Sequence, residues 1–164
     1  MTPSPFTVLV LCTGNSARSI LGEAILNRLG ALRFQAFSAG SKPTGRPNPF
    51  AIALLDAKGY DTSLARSKSW DEFASPDAPK LDIVITVCDS AAAETCPYWP
   101  GAPVSAHWGL PDPASVTGSN AEIAAAFAQT YAALTARVEA FLALPEGLPP
   151  AEMKAALTQI GKMP

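Results

Sequence analysis

The run Cys12-Thr13-Gly14-Asn15-Ser16-Ala17-Arg18-Ser19 combines a nucleophile with an anion-binding fork in a C-x5-R-S pattern. A tight loop entering a helix can turn its backbone N–H groups toward a common centre, where a tetrahedral oxyanion is held. Gly14 permits backbone angles that other residues avoid. Arg18 offers a planar pair of donors to two oxygens. Cys12 stands in the same field, at a helix N-terminus beside a guanidinium, which favours its thiolate. Asn15 can bond back to the backbone and hold the loop, and Ser19 can donate to the thiolate. A cysteine on its own is more often a small core residue. The complete pattern, set between a strand and a helix, weighs against that reading. It is not the nucleotide loop G-x4-G-K-[ST], because no Lys follows the glycine.

The elements that must position this loop are legible around it. Phe6 to Leu11 is apolar on both faces, as suits a strand inside a parallel sheet. Ile20, Leu21, Ala24, Ile25 and Leu29 then recur at helical spacing, with Gly30 as the stop. Arg33 to Ser38 reads as a second strand and the Gly- and Pro-rich stretch Ala39 to Pro47 as loop. Asn48-Pro49 offers an N-cap and a first-turn proline for a helix through Phe50, Leu54 and Leu55, ending at Gly59. Leu81 to Val87 is a β-branched third strand and Val104 to Trp108 a short fourth. A long helix is predicted from about Asn120, with Ile123, Phe127, Tyr131, Leu134, Val138 and Phe141 on one face. This alternation predicts an α/β fold: three layers, with a four-stranded parallel sheet flanked by helices. Residues 1–144 form the expected domain. Residues 145–164 form either a mobile tail or a short helix; Met153, Ala156, Leu157 and Ile160 at helical spacing favour a helix packed on the body or on a partner.

Composition narrows the function classes. The chain has 164 residues, 48% of them hydrophobic and 16% charged, with a net charge of −2, which fits one globular domain. No Lys/Arg run marks a nucleic-acid surface, and no apolar stretch approaches the ~20 residues of a membrane span. The first residues lack a signal-peptide pattern, so a cytoplasmic protein is expected. Three cysteines and one histidine, His107, leave little material for a disulfide framework or a His-based zinc site. No metal and no cofactor are expected, and His107 reads as structural.

Val8 to Ser19 resembles the active-site loop of the low-molecular-weight protein tyrosine phosphatases, and resembles more closely the arsenate reductases that share their fold. The resemblance runs from about Phe6 to Leu142. It includes Phe37-Ser38-Ala39-Gly40, Val87-Cys88-Asp89, Cys96-Pro97 and His107-Trp108-Gly109-Leu110-Pro111-Asp112-Pro113-Ala114. It implies that Cys12 is the nucleophile and Arg18 the oxyanion fork. Asp112, in its Asp-Pro pair, is then the acid that protonates the departing oxygen.

The resemblance also implies a thiol relay through Cys12, Cys88 and Cys96, as in the thioredoxin-linked arsenate reductases. On a continuous helix, Cys88 and Cys96 would lie roughly 12 Å apart along the axis, beyond the ~7 Å that a disulfide spans. The segment must therefore bend to join them, and Pro97, Pro100 and Gly101 discourage a rigid helix just beyond it. Arsenate is the implied substrate, with phosphate or sulfate as analogues, and thioredoxin or glutaredoxin the implied reductant. A phosphatase acting on phosphomonoesters is the alternative. It needs Cys12, Arg18 and Asp112 but neither other cysteine, and Ala114 stands where those phosphatases commonly carry Tyr. Some members hold a potassium ion near the loop with an Asn, a Glu, a Ser and an Asp. Asn15, Glu23 and Ser38 match the first three, and Lys68 falls at or near the fourth. Its ammonium is expected to replace the ion, near Glu23 or Asn15.

Overall fold

The computed structural model describes residues 6–63, 65–87 and 103–163. Cys88 and Cys96, and with them the expected redox pair, lie outside the described residues.

Strand β1, Phe6–Cys12, is buried throughout from Val8 to Cys12. Such a strand must be central. It sits between β2, Phe34–Gly40, and β3, Ile83–Thr86, with β4, Val104–His107, beyond β3. All pairings are parallel, and the registers Cys12↔Gly40 and Leu11↔Thr86 bring the carboxyl ends to one edge. Ligands in open α/β sheets bind beyond that edge.

β2 runs two residues further than the sequence pattern predicts, through Ala39 and Gly40. Gly40 acts as a close-approach residue and does not break the strand: its N–H donates to the Lys68 carbonyl at 2.9 Å. β3 is shorter than the expected Leu81–Val87, and β4 ends one residue before Trp108.

Helix α1, Arg18–Leu29, buries Ile20, Leu21, Ile25 and Leu26 against the sheet. α2, Pro49–Ala57, starts where its cap predicts: Asn48 Oδ1 accepts from Phe50 N at 2.9 Å. α3, Asn120–Leu142, opens with a capping box of Ser119 and Glu122 and buries Phe127, Leu134, Val138 and Phe141. Residues 150–160 form α4, Pro150–Ile160, which buries Met153, Leu157 and Ile160. All four helices among the described residues contribute to one core on the Val8 and Val10 face of the sheet. The opposite face buries Leu9, Leu11 and Val84 with Phe73 and Leu81. A short 3-10 turn, Trp70–Phe73, covers it among the described residues. That turn carries no periodicity signal and is absent from the sequence expectation.

Candidate active site

Cys12 ends β1, is 6% exposed, and opens directly into the loop that leads to α1. The loop has no regular secondary structure, yet its carbonyls are fixed. Lys42 N donates to Thr13 O at 3.0 Å, Thr44 N to Gly14 O at 3.0 Å and Asn48 N to Ser16 O at 2.8 Å. Ser67 Oγ also donates to Gly14 O, at 3.1 Å. In a trans peptide the C=O and the following N–H point to opposite sides. Tying these carbonyls outward therefore turns the N–H groups of Gly14, Asn15 and Ala17 inward.

Two buried residues hold the bend. Asn15 has φ 45, in the left-handed region where Asn is among the few residues tolerated. Its Nδ2 donates to Ser19 Oγ at 2.8 Å, and its Oδ1 accepts from Lys68 N at 2.8 Å. Gly40 lies directly beneath the loop. A Cβ there would collide with the Thr13 carbonyl and come within 2.8 Å of the Cys12 carbonyl.

The N-terminus of α1 is open to an anion. Ala17 at its N-cap makes no side-chain cap bond, and the first turn carries no acidic residue. The orphan N–H groups and the positive end of the helix dipole thus face the loop. Arg18 Nη1 donates to Leu110 O at 2.8 Å, which braces the guanidinium against the loop after β4. Its Nε is buried without a hydrogen-bond partner. Such a donor costs free energy unless an acceptor arrives. Arg18 Nη2 lies 3.8 Å from Asp112 Oδ2. Asp112 caps the 3-10 turn Pro113–Ser115 through Oδ1, which accepts from Ala114 N at 2.9 Å, so Oδ2 is the oxygen turned to the pocket. The cavity so formed, about 380 Å³, is lined by Cys12, Thr13, Gly14, Ser16, Ala17, Arg18, Thr44, Asp112 and Ala114. No aromatic side chain lines it among the described residues.

Lys68, Glu23 and Ser38 meet behind the loop. Lys68 is 7% exposed. Its Nζ lies 3.9 Å from Glu23 Oε1 and donates to Ser38 Oγ at 3.4 Å and to Arg66 O at 3.1 Å. Ser38 Oγ donates to Glu23 Oε2 at 3.1 Å. Burial pushes the Glu23 carboxyl up and the Lys68 ammonium down, each partly offset by the other's charge. A larger cavity of about 560 Å³ opens beside this pair on the far side of α1. It does not reach Cys12. No cluster of three or more His, Cys, Asp or Glu that could hold a metal occurs among the described residues. His107 Nδ1 pairs with Thr86 Oγ1 at 2.7 Å, away from the residues lining the Cys12 cavity.

The structure thus brings Cys12, Arg18 and Asp112 to one cavity and sets Asn15, Ser19, Glu23, Ser38 and Lys68 behind it. Residue-by-residue reading missed the outer ring of Lys42, Thr44, Asn48 and Ser67, and the Leu110 carbonyl. Backbone groups do most of that work, and side-chain identity does not signal it.

The family model described as low molecular weight phosphotyrosine protein phosphatase matches residues 7–155, extending past Leu144 into α4. An arsenate reductase of Halalkalibacterium halodurans is 32% identical over 134 residues, covering 82% of this chain and 93% of that protein. One from Bacillus licheniformis is 33% identical over 136 residues, covering 82% and 94%. Among solved structures, an arsenate reductase in its oxidized state is similar with a TM-score of 0.65 at 27% identity, covering 81% of this chain and 93% of that one. An arsenate reductase in its phosphate-binding state gives 0.63 at 27% identity, covering 84% and 97%.

Proposed function

The chain belongs to the low molecular weight phosphotyrosine protein phosphatase family, and we propose that within it this protein is an enzyme that reduces arsenate to arsenite. The observation that carries the reading is the meeting of Cys12, Arg18 and Asp112 in one cavity at the uncapped start of α1, with a buried Arg18 Nε that lacks an acceptor. A tetrahedral oxyanion supplies that acceptor. Relatives bearing the arsenate reductase name over most of this chain support arsenate as that anion. The small rim residues Thr44 and Ala114 suit an inorganic ion better than an aryl ester.

In the proposed chemistry the Cys12 thiolate attacks arsenic. The amide bowl and the α1 dipole favour the ionised sulfur. Ser19 Oγ, which accepts from Asn15, keeps its own proton for that sulfur. Asp112 gives a proton to the departing oxygen, which leaves as water. Cys88 then attacks the Cys12 sulfur. The sulfur–arsenic bond breaks with its electron pair passing to arsenic, so arsenite leaves and a Cys12–Cys88 disulfide remains. Cys96 next attacks Cys88, releasing the Cys12 thiolate and leaving a Cys88–Cys96 disulfide. An external dithiol of the thioredoxin type reduces that bond, with glutathione and glutaredoxin as the other donor system. Lys68 stands in this reading as a fixed internal cation that holds Glu23 and Ser38 and, through its backbone N–H, Asn15.

The test is arsenite production by the purified protein supplied with arsenate and thioredoxin, thioredoxin reductase and NADPH, with glutaredoxin and glutathione as the second arm. Cys88→Ser and Cys96→Ser should each abolish arsenite turnover while cleavage of a phosphomonoester persists. Ester cleavage with no arsenite in either arm would establish the phosphatase reading instead.

A further inference from the structure

We infer that Arg137, clamped by the C-terminal segment, is a positioning residue for the stretch Trp108–Asp112, which braces Arg18 and carries the acid. The inference rests on the reading of Asp112 as proton donor. Arg137 lies on α3 and is 3% exposed. Its guanidinium is spent on carbonyls: Nη1 donates to Trp108 O at 3.1 Å and Gly109 O at 3.4 Å, and Nη2 to Met163 O at 2.9 Å. Its Nε has no partner, and desolvation lowers its pKa. An apolar side chain of the same length would fill this space without the cost of a buried charge. Only a rigid fork of donors can tie carbonyls from two segments far apart in sequence.

Those carbonyls matter because residues 108–112 have no regular secondary structure. Leu110 follows immediately. Its N–H donates to Val87 O at 3.2 Å, and its carbonyl takes Arg18 Nη1 at 2.8 Å. Fixing the peptides at 108 and 109 therefore fixes the direction of the Leu110 carbonyl and the approach of Asp112.

The C-terminal segment holds the other side of the clamp. Trp108 Nε1 donates to Leu157 O on α4 at 3.0 Å, and Lys154 Nζ to Ser105 O at 2.8 Å. Gly161 packs on the His107 carbonyl with no room for a Cβ, which would also come within 2.9 Å of Trp108 Cδ1. α4 and the residues after it thus form a strap across the exit of β4.

Two esters separate positioning of the acid from general damage. Phenyl phosphate needs a proton on its leaving oxygen more than p-nitrophenyl phosphate does. Arg137→Met should lower kcat/KM on phenyl phosphate by about 10-fold or more, since misplacement by 1 Å can cost on the order of 100-fold. On p-nitrophenyl phosphate the loss should be several-fold smaller, as its more stable phenolate depends less on the acid. A chain ended after Ile160, which lacks the Met163 carbonyl, should shift the same way, and Arg137→Lys should lie between. Asp112→Asn/Arg137→Met should be no slower than Asp112→Asn alone. Glu139→Gln, exposed on the same helix as Arg137 and outside the clamp, should match the wild type. Equal losses of kcat/KM on both esters, additive losses in the double variant, or a Glu139→Gln effect like that of Arg137→Met would each overturn the inference. Should Arg137→Met fail to fold, the shortened chain and Arg137→Lys carry the same comparison. If the wild type cleaves neither ester and makes no arsenite, the functional reading fails. The clamp is then decided by hydrogen exchange at the Leu110 amide: faster in Arg137→Lys with β1 unchanged supports it, and no change refutes it.

Discussion

At the residue scale, chemistry concentrates where polar groups are buried in pairs. Arg18 gains position from one carbonyl, and its Nε is buried without a partner. Lys68 and Glu23 share a site in which burial opposes both charges, so each depends on the other. Lys68→Met should therefore push the Glu23 carboxyl further up and cost about 1–3 kcal/mol at neutral pH. The sign follows from proton binding. With the folded pKa above the unfolded one, the native state binds more protons through that window, so stability falls as pH rises across it. The loss should shrink toward pH 4, where the carboxyl is protonated in both states. Urea denaturation of both proteins at pH 7 and pH 4 measures this, and an equal loss at the two pH values would rule it out.

At the element scale, the site is a junction. β1 ends on Cys12, α1 begins on Arg18, and the end of β2 lies beneath the loop between them. That contact needs a residue without a side chain, because a Cβ at Gly40 meets backbone atoms that cannot swing away. Gly40→Ala should force the Thr13 peptide to move and spoil the inward set of N–H groups. We expect phosphate affinity to drop at least about 10-fold and stability to fall by about 1–3 kcal/mol, the usual cost of overpacking. Calorimetric phosphate titration and thermal unfolding check the two effects separately, and unchanged phosphate binding would show that the loop does not depend on this contact.

At the scale of the whole molecule, α1, the turn after α2, and α3 are tied together by one polar cluster outside the cavity. Tyr60 and Tyr131 share a hydroxyl hydrogen bond of 2.8 Å, and the Arg28 guanidinium lies 3.3 Å from the Tyr60 ring centroid. Burial and the neighbouring phenol hold the Tyr60 hydroxyl up at about 12, from an ordinary 10.0. The unfolded chain thus releases this proton first. The contribution is whole below pH 10 and is lost as pH climbs from about 10 toward about 12. Tyr60→Phe should flatten the alkaline decline in melting temperature between about pH 10 and about pH 12. An identical decline in both proteins would place the titrating group elsewhere. No described helix is long and apolar enough to cross a membrane.

Much of this was determined by sequence alone, where the physics is local. A C-x5-R-S loop needs a strand before it and a helix after it, and apolar runs and spacing mark both. Asn48-Pro49 and Ser119 with Glu122 encode helix starts through bonds spanning two or three residues. Distant contacts were decided only in the tertiary structure. Arg18 meets Leu110 across 92 positions, and no periodicity encodes such a pair; Asn15 meets Lys68 across 53, a nearness that the family resemblance and not periodicity suggested. The same holds for the outward ties on the loop carbonyls, the close approach at Gly40 and the grip of Arg137 on the C-terminal strap. These are properties of backbone groups brought together by packing, and every residue type but proline carries the same backbone donor and acceptor.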